Sequence, residues 1–157
     1  MAPYRGRLKT GIGRRSSLGV ILEPAVRRRF AGPNYAHLAT LMKDGAPTSV
    51  PVWVGLAGDH ILVGTGSGSP KARNTRRDPR VALSVTDLQD PYKAALIRGR
   101  VIEQRPDEDN AIMDKVAIKY TGKPFPLRGP DRIVLIIEPD HVTYRALPFE
   151  HKPGGFE

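Results

Sequence analysis

From Tyr35 onward the chain alternates apolar and polar positions in short runs broken by turn residues, which is the rhythm of strands. Tyr35 to Met42 (YAHLATLM) predicts a strand, Lys43-Asp44-Gly45 a hairpin turn, and Pro47 to Leu56 (PTSVPVWVGL) the returning strand. In that second run Thr48, Val50, Val52 and Val54 share one face and Ser49, Pro51 and Trp53 the other, because strand side chains alternate. Ala57-Gly58-Asp59 turns into a third strand ending at Thr65. Arg80 to Thr86 and Lys93 to Gln104 follow as long strands, and Arg132 to Glu138 and Val142 to Ala146 close the set. One substantial helix is expected, Pro106 to Tyr120. Asp107, Glu108 and Asp109 suit the positive end of a helix dipole, and Ile112, Met113, Val116, Ala117 and Tyr120 recur at helical spacing. A short helix is expected from Glu23 to Phe30, with Pro24 in its first turn. Six to seven antiparallel strands, one long helix and short helices make a mainly β (α+β) domain, a small barrel.

Pro51 interrupts this pattern. A proline cannot donate to a strand ladder, so it marks an edge or a bulge, and either can frame a site or simply protect the edge. Trp53, the single tryptophan, falls on the same face and suits a cofactor ring or a dimer interface.

Composition narrows the class. The 157 residues suffice for one domain, with a body expected over 22–150, a basic arm over 1–21 and a tail over 151–157. No apolar run is long enough to span a membrane. The chain has no cysteine, which rules out a disulfide framework and fits a cytoplasmic protein. Of the net charge of +9, residues 1–29 carry most, with eight basic side chains against Glu23 alone. The Gly/Arg/Ser-rich start lacks apolar periodicity and reads as a mobile arm. Tyr4 is its only stacking aromatic, so a solvated tail is favoured over nucleic-acid binding.

The densest chemistry lies between Thr65 and Val85 (TGSGSPKARNTRRDPRVALSV). Thr65, Ser67 and Ser69 alternate with Gly66 and Gly68; Ser69 is placed to cap a helix that opens at Pro70, and Lys71, Arg73, Asn74, Arg76 and Arg77 follow. Glycines admit a ligand close to the backbone, hydroxyls donate hydrogen bonds, and a helix N-terminus with a lysine beside it attracts anions. The stretch is neither a Walker loop nor a dinucleotide fingerprint. Its local chemistry suits a phosphate site or a solvated basic helix.

No nucleophile–base set is visible, so catalytic residues stay unassigned. His37, His60, His141 and His151 are too scattered for a metal site, and none is expected. His37, Asp90, Tyr92 and Tyr120 are the candidate proton donors.

The V-P-V-W strand, the L-V-G-T run leading into P-K-A-R-N-x-x-R-D-P-R-V-A-L, the I-R-G-R-V strand and the acid-led helix together resemble the split-barrel flavin/deazaflavin oxidoreductases, relatives of pyridoxamine 5'-phosphate oxidase. The resemblance spans residues 22–147 and leans toward the branch that uses coenzyme F-420. It implies an FMN-binding split β-barrel fold, with cofactor phosphate at Thr65, Ser67, Ser69, Lys71, Arg73 and Asn74 and the ring along Val50, Pro51, Val52 and Trp53. It further implies a homodimer with a cofactor site at each side of its interface. The expected activity is hydride transfer from reduced F-420 to an unsaturated or conjugated small-molecule acceptor, with FMN as the runner-up cofactor. The anionic oligoglutamate tail of F-420 suits Arg73, Arg76, Arg77 and Arg98 as a funnel. The reading from a different class is a noncatalytic binder of a flavin- or haem-type cofactor, or of nucleic acid.

Overall fold

A computed structural model describes residues 9–12, 15–16 and 19–154. In chain order its elements are β1 (Lys9–Ile12), β2 (Arg15–Ser16), β3 (Gly19–Val20), α1 (Pro24–Ala31), β4 (Ala36–Leu41), β5 (Pro47–Val52), β6 (Gly55–Ala57), β7 (His60–Gly66), α2 (Pro70–Arg77), β8 (Arg80–Thr86), β9 (Lys93–Pro106), α3 (Met113–Thr121) and β10 (Arg132–Ala146). The main sheet runs β5-β4-β8-β9-β10-β7-β6 with antiparallel neighbours throughout. Its two end strands, β5 and β6, are consecutive in the chain yet unpaired with each other. The result is a split barrel that stays open along one seam, crossed by Trp53 and Val54.

Strand alternation builds the core. Ala36 and Leu38, Ile61 and Val63, Val81, Leu83 and Val85, and Ile133, Leu135 and Ile137 all point inward into one buried cluster. Each large side chain among them gives about 1.5–3 kcal/mol on leaving water. β10 shows no alternation from Arg132 to Ile137 because it is covered on both faces. Val134 and Ile136 meet Leu62, Met113 and Val116 in a second cluster under α3. Gly64 permits that approach, since a Cβ there would lie 2.2 Å from the Met113 sulfur.

Four expectations from the pattern differ in detail. The helix starts at Met113, not Pro106; β9 continues to Pro106, and buried Asp107 accepts from the N–H groups of Ile112 (3.0 Å) and Met113 (2.9 Å). The acidic run is therefore a cap ahead of the helix, and among the described residues no helix is long. Pro47 to Leu56 divides into β5 and β6 at the seam. Arg132 to Ala146 is one strand, whose register shifts between Pro139 and His141 absorb the break read at Pro139-Asp140. Part of the stretch expected to be an arm, Lys9–Ile12, pairs with Thr143–Ala146 at the sheet. Pro51 does lie on an edge strand, β5. Among the described residues no helix is long and apolar enough to cross a membrane.

Candidate functional site

β7 carries Thr65 to the start of the Gly/Ser turn, and α2 departs from the turn's far end. Ser69 caps α2 by accepting from Ala72 N–H at 3.2 Å, and Pro70 takes the first helical position. Buried Thr65 donates to Ser69 Oγ at 2.8 Å and accepts from Lys71 Nζ at 3.3 Å. Thr65 is thereby used inside the protein, where it ties the cap to the lysine. The Ser69 hydroxyl accepts from both neighbours and keeps its own proton to donate.

Lys71 is half-buried, and its pKa is pushed down, first by loss of hydration and then by the nearby Arg132 cation. Arg132 is buried, its Nε has no hydrogen-bond partner, and it makes no ion pair among the described residues. Its guanidinium lies over the Phe125 ring, 4.8 Å from the centroid. Two partly desolvated cations without an acid are a cost to the protein alone, and an anion between them removes it. Sequence reading missed Arg132 because it opens the apolar run RIVLIIE, remote from the basic block. The available signal was one arginine leading the uncharged, buried run 133–137.

The three α2 arginines bend back onto the fold. Arg73 donates to Gly68 O and Arg76 to Ser67 O, while Arg76 Nε also reaches Gln104 Oε1 at 3.1 Å. Arg77 donates to Leu41 O at 3.0 Å and Asn74 Oδ1 at 2.9 Å. The hydrogen-bond partners of Arg73 and Arg76 are neutral, so their charge stays available to an anion nearby, whereas Arg77 also acts on the neighbouring Asp78 carboxylate. Asn74 is buried and donates to Thr40 Oγ1 at 3.0 Å, which fastens α2 to β4. Arg98 lines a different cavity, with Ala39, Ala82 and His141.

At the seam, Val50 and Pro51 are exposed, Val52 is buried and Trp53 is half-buried. Trp53 stacks on Tyr120 (centroids 5.0 Å, planes 6° apart) and meets the Phe125 edge at 6.1 Å. Tyr120 Oη donates to Asn34 O at 2.6 Å and accepts from Val54 N–H at 3.1 Å. Lys119 donates to Val54 O and to Phe30 O. Phe125 thus contacts both Trp53 and Arg132, and this aromatic bridge joins the two segments singled out from sequence.

The candidate proton donors scatter. Asp90 pairs with Lys93 at 3.1 Å and Tyr92 packs edge-on to Phe149, both at the turn between β8 and β9. Tyr120 is committed to the seam, and burial raises its pKa. His37 stays exposed and shares a cavity with Ser49 and His141. Among the described residues no three His, Cys, Asp or Glu side chains gather for a metal.

Residues 22–146 match the family model described as pyridoxamine 5'-phosphate oxidase. The chain belongs to that family. Members of the pyridoxamine 5'-phosphate oxidase family are mostly oxidoreductases on split barrels, and solved structures agree in fold. An F-420 reductase is 29% identical, with a TM-score of 0.68 over 78% of this chain and 98% of its own. An FAD-binding protein from Mesorhizobium loti is 23% identical, with a TM-score of 0.60 over 88% and 96% of the two chains. General Stress Protein 26 from Bacillus anthracis is 19% identical, with a TM-score of 0.63 over 77% and 91%. The last two are similar in fold alone. No curated protein matches this member of the pyridoxamine 5'-phosphate oxidase family.

Proposed function

We propose that the chain binds coenzyme F-420 and uses it to reduce an unsaturated or conjugated small-molecule acceptor, with FMN as the alternative cofactor of the same cleft. The observation that carries this reading is the cation pair Lys71 and Arg132, set beside the Ser67/Ser69 turn, neither of them in an ion pair among the described residues. That donor set fits a phosphate-bearing cofactor: hydroxyls, a helix N-terminus and two desolvated cations. Likeness to an F-420 reductase across 98% of that chain supports the deazaflavin over FMN.

In this reading Ser67, Ser69, Lys71, Arg73 and Arg132 hold the phosphate, while Thr65 and Asn74 keep Lys71 and α2 in place. Val50, Pro51, Val52 and Trp53 flank the ring. When bound, the reduced deazaflavin supplies a hydride to the acceptor, and the protein supplies orientation and a dry wall. The aromatic set Trp53, Tyr120 and Phe125 forms that wall. Arg73 and Arg76, hydrogen-bonded only to neutral groups, attract the oligoglutamate tail in a salt-sensitive way, with Arg77 beside them. The exposed edge at β5 supports a two-fold dimer with a site at each side of its interface.

The test is titration of the purified protein with F-420 and with FMN at low salt, then turnover of the reduced form against a panel of acceptors. Saturable F-420 binding, weakened by salt, with turnover of at least one conjugated acceptor is expected. Tighter FMN binding would transfer the reading to the alternative cofactor. Binding without turnover of any acceptor would favour a noncatalytic carrier, and failure to bind either would overturn the proposal. Sedimentation showing a monomer with undiminished cofactor affinity would remove the interface from it.

A further inference from the structure

A cavity of about 550 Å³ opens between α1, β6 and α3. It shares no lining residue with Val50–Trp53 or Thr65–Asn74. Its floor is apolar, built from Phe30, Leu56, Leu62, Ile112 and Val116. Every charged side chain on its wall is a cation: Arg27 from α1, Arg105 from β9, and Lys115 and Lys119 from α3. Two of these are neutralised by acids that do not line the cavity, Arg27 by Asp59 at 2.7 Å and Arg105 by Glu103 at 2.7 Å. Lys119 gives two of its three N–H donors to Phe30 O and Val54 O, and its ammonium lies over the Tyr120 ring, 4.7 Å from the centroid, which leaves one N–H without a hydrogen-bond acceptor. Lys115 is exposed and has no ion pair or hydrogen bond among the described residues.

We propose that this cavity binds an anionic amphiphile of the fatty-acid class, with its carboxylate on Lys115 and the free donor of Lys119 and its hydrocarbon chain over the apolar floor. The chemistry follows from the asymmetry of the wall. An apolar floor selects a hydrocarbon body, and cations unmatched by any lining acid select a negative head. The volume lies within the range of about 300–1,000 Å³ usual for small-molecule pockets, which are likewise mostly apolar with a few placed polar groups. The inference stands apart from the cofactor reading, since neither site uses the other's residues.

Trp53 is a built-in reporter. It stacks on Tyr120, the residue after Lys119, so occupancy of the cavity bears on its surroundings. The full chain, without cofactor, is titrated with decanoate, 1-decanol and decyltrimethylammonium by tryptophan emission and by calorimetry. Decanoate is expected to bind saturably and roughly tenfold or more tighter than 1-decanol, the alkylammonium weakest. Lys115→Glu should weaken decanoate by at least about the same factor and leave 1-decanol unchanged. Lys115 is exposed on α3, and a melting curve verifies that the variant folds. Equal affinities for decanoate and decanol, an unaffected Lys115→Glu variant, or neither heat nor emission change with decanoate would each overturn the proposal.

Discussion

Trp53 stacks face to face on Tyr120, with centroids 5.0 Å apart and planes 6° from parallel. The pair braces the open seam where the barrel lacks a ladder, because Tyr120 also satisfies Val54 N–H and Asn34 O. Tyr120→Phe keeps the ring and deletes the hydroxyl, leaving a donor and an acceptor without partners. A loss of about 1–3 kcal/mol in unfolding free energy is expected, read from urea denaturation. Unchanged stability would mean that water replaces the hydroxyl at the seam.

Lys71→Ala tests the phosphate site. A charge-assisted bond to phosphate is worth ~1.5–3 kcal/mol, so cofactor affinity should fall roughly 10- to 100-fold while the fold survives. Lys71→Gln should lose most of the same affinity. Raised salt should weaken the wild type more than either variant. Equal affinities for wild type and Lys71→Ala at low salt would reduce the stretch to a basic helix.

Arg132→Met separates binding from stability at the same place. The native guanidinium is buried with an unpartnered Nε and sits close enough to Lys71 to lower its pKa. Methionine fills similar space against Phe125 without charge. The melting temperature of the cofactor-free protein should hold or rise, while cofactor affinity falls about tenfold or more. A lower melting temperature with intact binding would make Arg132 a structural residue.

Lys119 gives a pH signature. Burial lowers its pKa from 10.5 to about 8. Between those values the unfolded chain holds more protons than the folded one, so stability should rise with pH through the window. Below about 8 both states are protonated and the cost of the buried ammonium is fully present. Lys119→Met should flatten that rise, as measured by denaturation on either side of the window. A slope that persists in the variant would assign it to another group.

Glycine contacts predict a ranking. A Cβ on Gly99 would lie 2.3 Å from the backbone oxygen of Glu138, at the irregular stretch of β10, where little can yield. On Gly64 it would meet Met113, a flexible side chain, at 2.2 Å. Both alanine variants should be destabilised, by about 1–3 kcal/mol for Gly64 and more for Gly99. Comparable melting temperatures for the two would show that β10 can shift.

The strand rhythm from Tyr35, the turn chemistry and the Ser69–Pro70 helix start are local facts, and the sequence by itself determined them. Alternation, φ preference and capping act within a few residues. The Gly/Ser turn followed by Lys71 was legible for the same reason. Distant packing decided the rest. Asp107 reads as a first-turn acid, yet the fold buries it as a cap for Ile112 and Met113. Asn74 reads as a phosphate ligand from its place in the basic block, and only the fold shows that its amide also donates to Thr40, 34 residues earlier. Trp53 follows β5 in sequence, but Tyr120 and Phe125 fix its place. Arg132 becomes a partner of Lys71 only because β10 pairs with β7 and opposes Arg132 to Gly66. No periodicity encodes such a meeting, since it depends on which strands pair and in what register, and burial of the whole chain selects both.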